Sequence, residues 1–160
     1  MEKEKTTPKQ SKRTFGVTTC SGMELFSVQC GECFKWRLIQ TQEEYEEIRS
    51  KLEEDPFVCT KKPGVSCDDL ADIKYDNTHL WVIDKPNLPK TPAGFKRITV
   101  VRKDHSKVDC YYITPNGKRM RALTEIARFL EENPKYKESV SIDDFSFNGP
   151  KVVKGTIPGL

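Results

Sequence analysis

Two groups of side chains in this sequence have the type and spacing to do chemistry. The first is a set of cysteines. Cys30 and Cys33 flank Gly31-Glu32, and Cys59 and Cys67 follow, giving C-x2-C-x25-C-x7-C. A CxxC turn offers two thiolates to one metal, and tetrahedral zinc takes four soft ligands. The second pair is looser than another CxxC turn, so spacing alone leaves buried free thiols as the alternative. The second group runs from Arg102 to Arg121, RKDHSKVDCYYITPNGKRMR. An arginine fork is the commonest holder of guanine O6 and N7 in the major groove. A carboxylate beside such a fork fixes its plane through a bidentate pair, and Asp109 stands between the two arginines.

The elements that must position these groups are legible. Val108, Cys110, Tyr112 and Thr114 alternate with Asp109, Tyr111 and Ile113, and Pro115-Asn116-Gly117 stops the run. Period-two alternation in β-branched and aromatic residues predicts a strand entering a tight turn, with Asp109 and Tyr111 on one face. Cys110, on the other face, is expected in the core. Residues 98–102 predict a preceding strand and residues 118–120 a following one. Leu123, Ile126, Ala127 and Leu130 form the apolar stripe of a helix that ends before Asn133-Pro134. A small sheet backed by one helix is an α+β layer, with the phenylalanines of Asp144-Phe145-Ser146-Phe147 closing its underside. Between the cysteine pairs, Thr41 and Glu44 have the form of a capping box. Tyr45, Ile48 and Leu52 share a face of the helix it opens, with Glu and Lys on the other.

Charge divides the 160-residue chain. Residues 15–80 carry seven Lys/Arg against thirteen Asp/Glu, and residues 81–160 carry fifteen against nine. Opposite signs suit different partners, a cationic peptide for the acidic part and nucleic acid for the basic part. No run approaches the ~20 apolar residues of a membrane span. The first residues, MEKEKTTPKQSKRT, lack the apolar core of a secretory signal and read as a disordered basic leader. Six cysteines in such a chain point to metal or free thiols rather than a disulfide scaffold. Lys85 to Pro92 holds three prolines in eight residues and reads as an extended connection. The expected division is therefore a leader over 1–18, a first module over 19–78, a proline-rich linker over 79–92, a second module over 93–155 and a tail over 156–160.

Two family resemblances sharpen this reading. Val28-Gln29-Cys30-Gly31-Glu32-Cys33-Phe34-Lys35-Trp36-Arg37, with Phe57-Val58-Cys59, resembles the CW-type zinc finger. That resemblance implies a small zinc-stabilised module with one structural Zn2+ on Cys30, Cys33, Cys59 and Cys67. It also implies a histone-tail reader that grips methyl-lysine between aromatic rings. Trp36 is the candidate histone-peptide residue, while Ser27 stands where that family has its other cage tryptophan. Further on, Pro92-Ala93-Gly94-Phe95-Lys96-Arg97, Val100-Val101-Arg102-Lys103, Asp109-Cys110-Tyr111-Tyr112, Pro115-Asn116-Gly117-Lys118, Met120-Arg121 and Asp144-Phe145-Ser146-Phe147 follow in the order of the methyl-CpG-binding domain family. That resemblance implies a wedge of three to four antiparallel strands backed by one helix. Arg102 and Arg121 would read the two guanines of a CpG step, Asp109 would orient the first arginine, and Tyr111 would help sense the cytosine methyl. Lys103, Lys107, Lys118 and Arg119 would face phosphates. Ala122 replaces the family's helix-capping serine, at a cost of about 0.5–2 kcal/mol.

Together these readings describe a nuclear, chromatin-associated protein of the plant methyl-CpG-binding-domain type. Its expected partner is double-stranded CpG DNA, and its expected role is transcriptional regulation. The alternative is an adaptor with degenerate DNA and methyl-lysine surfaces that recruits histone-deacetylase-type repressor complexes. No nucleophile–base set, paired-carboxylate cleft or glycine-rich phosphate loop is present in the sequence, so no enzyme activity is expected.

Overall fold

The computed structural model describes residues 17–19 and 25–157, so Cys20 and most of the basic leader lie outside the described residues. The chain opens with β1 (Val17–Thr19), β2 (Leu25–Gln29), β3 (Trp36–Ile39) and α1 (Gln42–Ser50). A short 3-10 turn at Cys59–Lys61 and β4 (Val82–Ile83) follow. The second half holds β5 (Lys96–Val101), β6 (Val108–Ile113), β7 (Arg119–Met120), α2 (Leu123–Glu132) and β8 (Lys151–Val152). These strands make two sheets, one ordered β5-β6-β7 and the other β3-β2-β1-β4-β8, and every pairing is antiparallel.

The β5-β6-β7 sheet is the one the alternation predicts. Tyr112 and Met120 face α2, where they meet Phe95, Ile126, Phe129 and Phe145 in one apolar cluster. Phe145 contacts Phe95 and Tyr112 edge-on at centroid distances of 5.1 and 4.9 Å, and so closes the underside of the wedge. Cys110 packs against the same cluster. Such edge-to-face aromatic contacts add about 0.5–1.5 kcal/mol each to the area they bury.

The other sheet departs from the expected division of the chain. The stretch 79–92, expected as a linker, supplies β4, which pairs with β1 on one side and β8 on the other. Trp81 is fully buried, its backbone N–H donates to Thr156 Oγ1 at 3.0 Å, and Thr156 is itself fully buried. Val17 and Thr18, expected in the leader, pair with β2, and Thr156, expected in the tail, is core. The prolines are not violated, because this two-residue strand ends before Pro86. The acidic and basic halves therefore share a sheet.

α1 begins as predicted, with Thr41 Oγ1 accepting from the Glu44 N–H at 3.1 Å, but no bond returns from the Glu44 carboxylate to Thr41. The buried face of α1 also differs from expectation. Glu46 and Arg49 are as buried as Tyr45. Asp84 is the reason. Its carboxylate, at 2% side-chain exposure, accepts from Tyr45 Oη at 2.9 Å and Arg49 at 3.0 Å, and from both terminal nitrogens of Arg97 at 3.3 Å. Glu46 accepts the Thr91 N–H at 2.8 Å. These bonds tie α1 to β4 and β5.

Gly149 marks the closest backbone approach, since a Cβ there would lie 2.4 Å from the Val108 carbonyl oxygen. Gly149→Ala is expected to lower stability by about 1–3 kcal/mol, because backbone must move to admit the methyl. Chemical denaturation checks this, and an unchanged midpoint would contradict the packing. Among the described residues, no helix is long and apolar enough to cross a membrane.

Candidate metal centre and nucleic-acid interface

The cysteine site begins where β2 ends. Cys30 N–H donates to the Lys35 carbonyl at 2.9 Å and Phe34 N–H to the Cys30 carbonyl at 3.0 Å, which closes a tight knuckle with Phe34 at φ 64. Within it, the N–H groups of Glu32 and Cys33 point at Cys30 Sγ, at 3.3 and 3.4 Å. Cys59 enters from the 3-10 turn and Cys67 from the following loop. The Sγ atoms of Cys30 and Cys67 are 3.7 Å apart, those of Cys33 and Cys59 are 3.6 Å apart, and all four lie within 4.8 Å of one another. A tetrahedron with Zn–S of about 2.3 Å has edges of about 3.8 Å, so four thiolates here fit zinc. Electrostatics agree. Burial opposes ionisation of Cys30, but the N–H donors of Cys33 and Glu32 outweigh it and bring the thiol down to about 6. Crowding by the Cys33 sulfur, with burial, pushes Cys67 up to about 12. Four such sulfurs ionise together only around a cation.

Two neighbours hold the site in shape. Arg37 is fully buried, and its Nε donates to Cys59 Sγ at 3.2 Å. Its other nitrogens reach the carbonyls of Ser66, Asp69 and Leu70 at 3.1, 3.0 and 2.6 Å, pinning the loop that carries Cys67. Lys35 Nζ donates to the Cys67 carbonyl at 2.6 Å. In the sequence, Lys35 and Arg37 are only letters of the Lys-Trp-Arg motif. Their work is to satisfy loop carbonyls, which no local pattern reveals.

The structure covers Trp36, the candidate histone-peptide residue, with other rings. It is 3% exposed, and its ring packs against Trp81 at 4.9 Å and Tyr75 at 5.8 Å. Tyr75 and Trp81 are 4.7 Å apart and edge-on. A cage needs open ring faces around the cation. Here the rings cover one another, because the second half of the chain brings Trp81 against the first.

The basic face is built on the outer side of the β5-β6-β7 sheet. Register places Val100 opposite Asp109, Ile98 opposite Tyr111 and Arg119 opposite Ile113, so these residues share the face turned away from α2. Arg102 follows β5, where its N–H donates to the Lys107 carbonyl at 2.9 Å across a short hairpin. Its guanidinium grips Asp109 with two parallel bonds of 3.1 Å, Nε to Oδ2 and a terminal nitrogen to Oδ1. That pairing holds the Asp109 carboxyl below the usual range and raises Arg102. Two residues along, the Tyr111 ring has the Arg119 guanidinium 4.5 Å from its centroid and the Arg121 guanidinium at 5.8 Å. Arg102 and Arg121 are thus anchored to alternate residues of one strand face, about 7 Å apart along β6. Arg121 is steadied by its backbone N–H, which donates to Glu125 Oε1 at 2.6 Å, although Ala122 leaves α2 without a side-chain cap as expected. Lys103, Lys107, Lys118, Arg119 and Arg121 are exposed and form no ion pair among the described residues. Val100, 46% exposed opposite Asp109, is an apolar member of this face that the sequence reading passed over; strand register was the signal that could have found it.

Residues 26–73 match the family model of the CW-type zinc finger, and residues 81–155 match that of the methyl-CpG binding domain. Methyl-CpG-binding domain-containing protein 4 of Arabidopsis thaliana is 55% identical over 136 residues, an alignment covering 85% of this chain and 73% of that protein. The chain belongs to the methyl-CpG-binding-domain family. Methyl-CpG-binding domain-containing proteins 1 and 2 of the same plant are 54% and 43% identical, with 85% and 92% of this chain aligned. The chain spans 66% and 57% of those two relatives. Within this family member, the four clustered cysteines are positioned to hold the one structural zinc of a CW-type finger.

Proposed function

We propose that the chain binds double-stranded DNA at CpG steps through the outer face of β5-β6-β7 and acts in the nucleus as a non-enzymatic transcriptional regulator. The observation that carries this reading is the pair of guanidiniums held on one exposed strand face, Arg102 by Asp109 and Arg121 beside Tyr111. A CpG step presents one guanine on each strand, and each arginine fork would take the O6 and N7 edge of one of them. Asp109 fixes the plane of the first fork before contact, so little ordering remains to be done on binding. Val100 and Tyr111 give this face an apolar and a hydroxyl group with which to meet cytosine methyls. Lys103, Lys107 and Lys118 would neutralise phosphates and add affinity without sequence preference.

Arg102→Ala and Arg121→Ala are each expected to weaken binding to a methylated CpG duplex by about 1–3 kcal/mol, with zinc content and unfolding midpoint unchanged. Fluorescence anisotropy against the native chain checks this, and unchanged affinity in both variants would refute the reading. The adaptor reading, with repressor-complex proteins as partners, draws on the covered Trp36 ring. It predicts DNA binding that is salt-sensitive and blind to methylation in the native chain.

A further inference from the structure

Arg119 sits closer to the Tyr111 ring than Arg121 does, at 4.5 against 5.8 Å. A guanidinium that only met phosphate would extend into solvent from an exposed strand end. Instead its backbone is fixed twice over. Arg119 pairs with Ile113 in the ladder, and the preceding turn is locked by Gly117 at φ 87 and by the Lys118 N–H donating to Thr114 Oγ1 at 3.0 Å. Among the described residues, no carboxylate competes for Arg119 and no hydrogen bond engages the Tyr111 hydroxyl. With two guanidiniums drawn to the ring, its hydroxyl is the polar group left for a ligand.

We propose that Arg119 is a positioning residue for Tyr111: its planar guanidinium fixes the ring by stacking, so that Tyr111 meets the groove with its hydroxyl rather than its face. This inference rests on the DNA-reading function above and adds to it a residue that acts through another side chain. A plain phosphate contact and a stacked positioning residue differ in what they couple to. The first weakens binding equally in every background and reduces the salt slope by about 0.9. The second loses its effect once the ring is gone.

The experiment is a double-mutant cycle on a methylated CpG duplex, run with Arg119→Ala, Tyr111→Ala and the double variant, and with Arg119→Lys alongside. Low salt keeps residual electrostatic affinity measurable throughout. Arg119→Ala is expected to weaken binding more in the native background than in Tyr111→Ala, with the two fold-changes differing by about two- to five-fold, the size of an exposed cation–π contact. Arg119→Lys is expected to keep the native salt slope while losing affinity. Equal fold-changes in both backgrounds, no loss at all on Arg119→Ala, or full recovery by lysine would each overturn the inference. Arg102→Ala and Arg121→Ala, measured in the same series, separate the two claims. If they bind as the native chain does, the DNA reading itself fails. If they lose affinity while the cycle is additive, only the role of Arg119 fails.

Discussion

Withdrawal of zinc is expected to unfold the first half of the chain and, with it, to impair the face built on the second. A structural zinc on four cysteines contributes on the order of 10–16 kcal/mol, as much as or more than the ~5–15 kcal/mol that separates a folded domain from its unfolded state. Without the metal, the cluster of Cys30, Cys33, Cys59 and Cys67 loses its cross-link, and the loop pinned by Arg37 loses its anchor. In a chain of two independent modules the damage would stop there. Here β1 lies between β2 and β4, and Trp36 packs on Trp81. Loss of the finger therefore exposes the edge of β1, which lies against β4, and one face of a fully buried tryptophan. Chelation, followed by thermal unfolding and duplex titration, checks this. A lowered or broadened transition together with weaker DNA binding is expected. An unchanged transition and affinity would show that the shared sheet carries no coupling.

The second large effect is expected from Asp84→Ala. Arg49 and Arg97 are 1% and 4% exposed at their side chains, and this one carboxylate is the anionic partner of both. Removing one partner of a buried ion pair strands the other and typically costs 3–5 kcal/mol. In this case two guanidiniums are stranded, and the Tyr45 hydroxyl loses its acceptor as well. For a chain of this size the loss corresponds to a fall in melting temperature of roughly 6–20 °C. The contrast is Lys51→Ala, which removes an exposed pair with Glu47 at 54% and 43% exposure. That change is expected to leave stability almost unchanged, since water screens the pair. Calorimetry on both variants decides the matter. A loss at Asp84 no larger than that at Lys51 would contradict the buried hub.

What was legible in the sequence, and what was not, follows from the range of the forces involved. The hairpin of β6 and β7 could be read because alternation and the Pro115-Asn116-Gly117 turn are local rules, and Gly117 does adopt the positive φ that the turn demands. The cysteine set could be read because metal ligands must be of particular types. The role of Asp84 could not, because its partners lie 13 to 39 residues away and an isolated Asp-Lys-Pro reads as solvated connection. Arg37, Arg49 and Arg97 were hidden for the same reason. Charge defaults to the surface unless a partner is known, and each partner here is tertiary. The motif of Trp36 suggests a reading role, while its burial depends on Trp81, which the sequence places beyond the finger. Arg119 is indistinguishable in the sequence from the phosphate-facing lysines, because no spacing rule separates a basic side chain that meets phosphate from one that stacks on a ring.

The most direct test of two guanidiniums reading one base step is the affinity of the native chain for a methylated CpG duplex against the same duplex with that step reversed to GpC, measured at two salt concentrations. Raising salt weakens every phosphate contact alike but leaves base discrimination in place. The account predicts that both affinities fall as salt rises while the preference for CpG persists. Equal affinities for the two duplexes at both concentrations would contradict it.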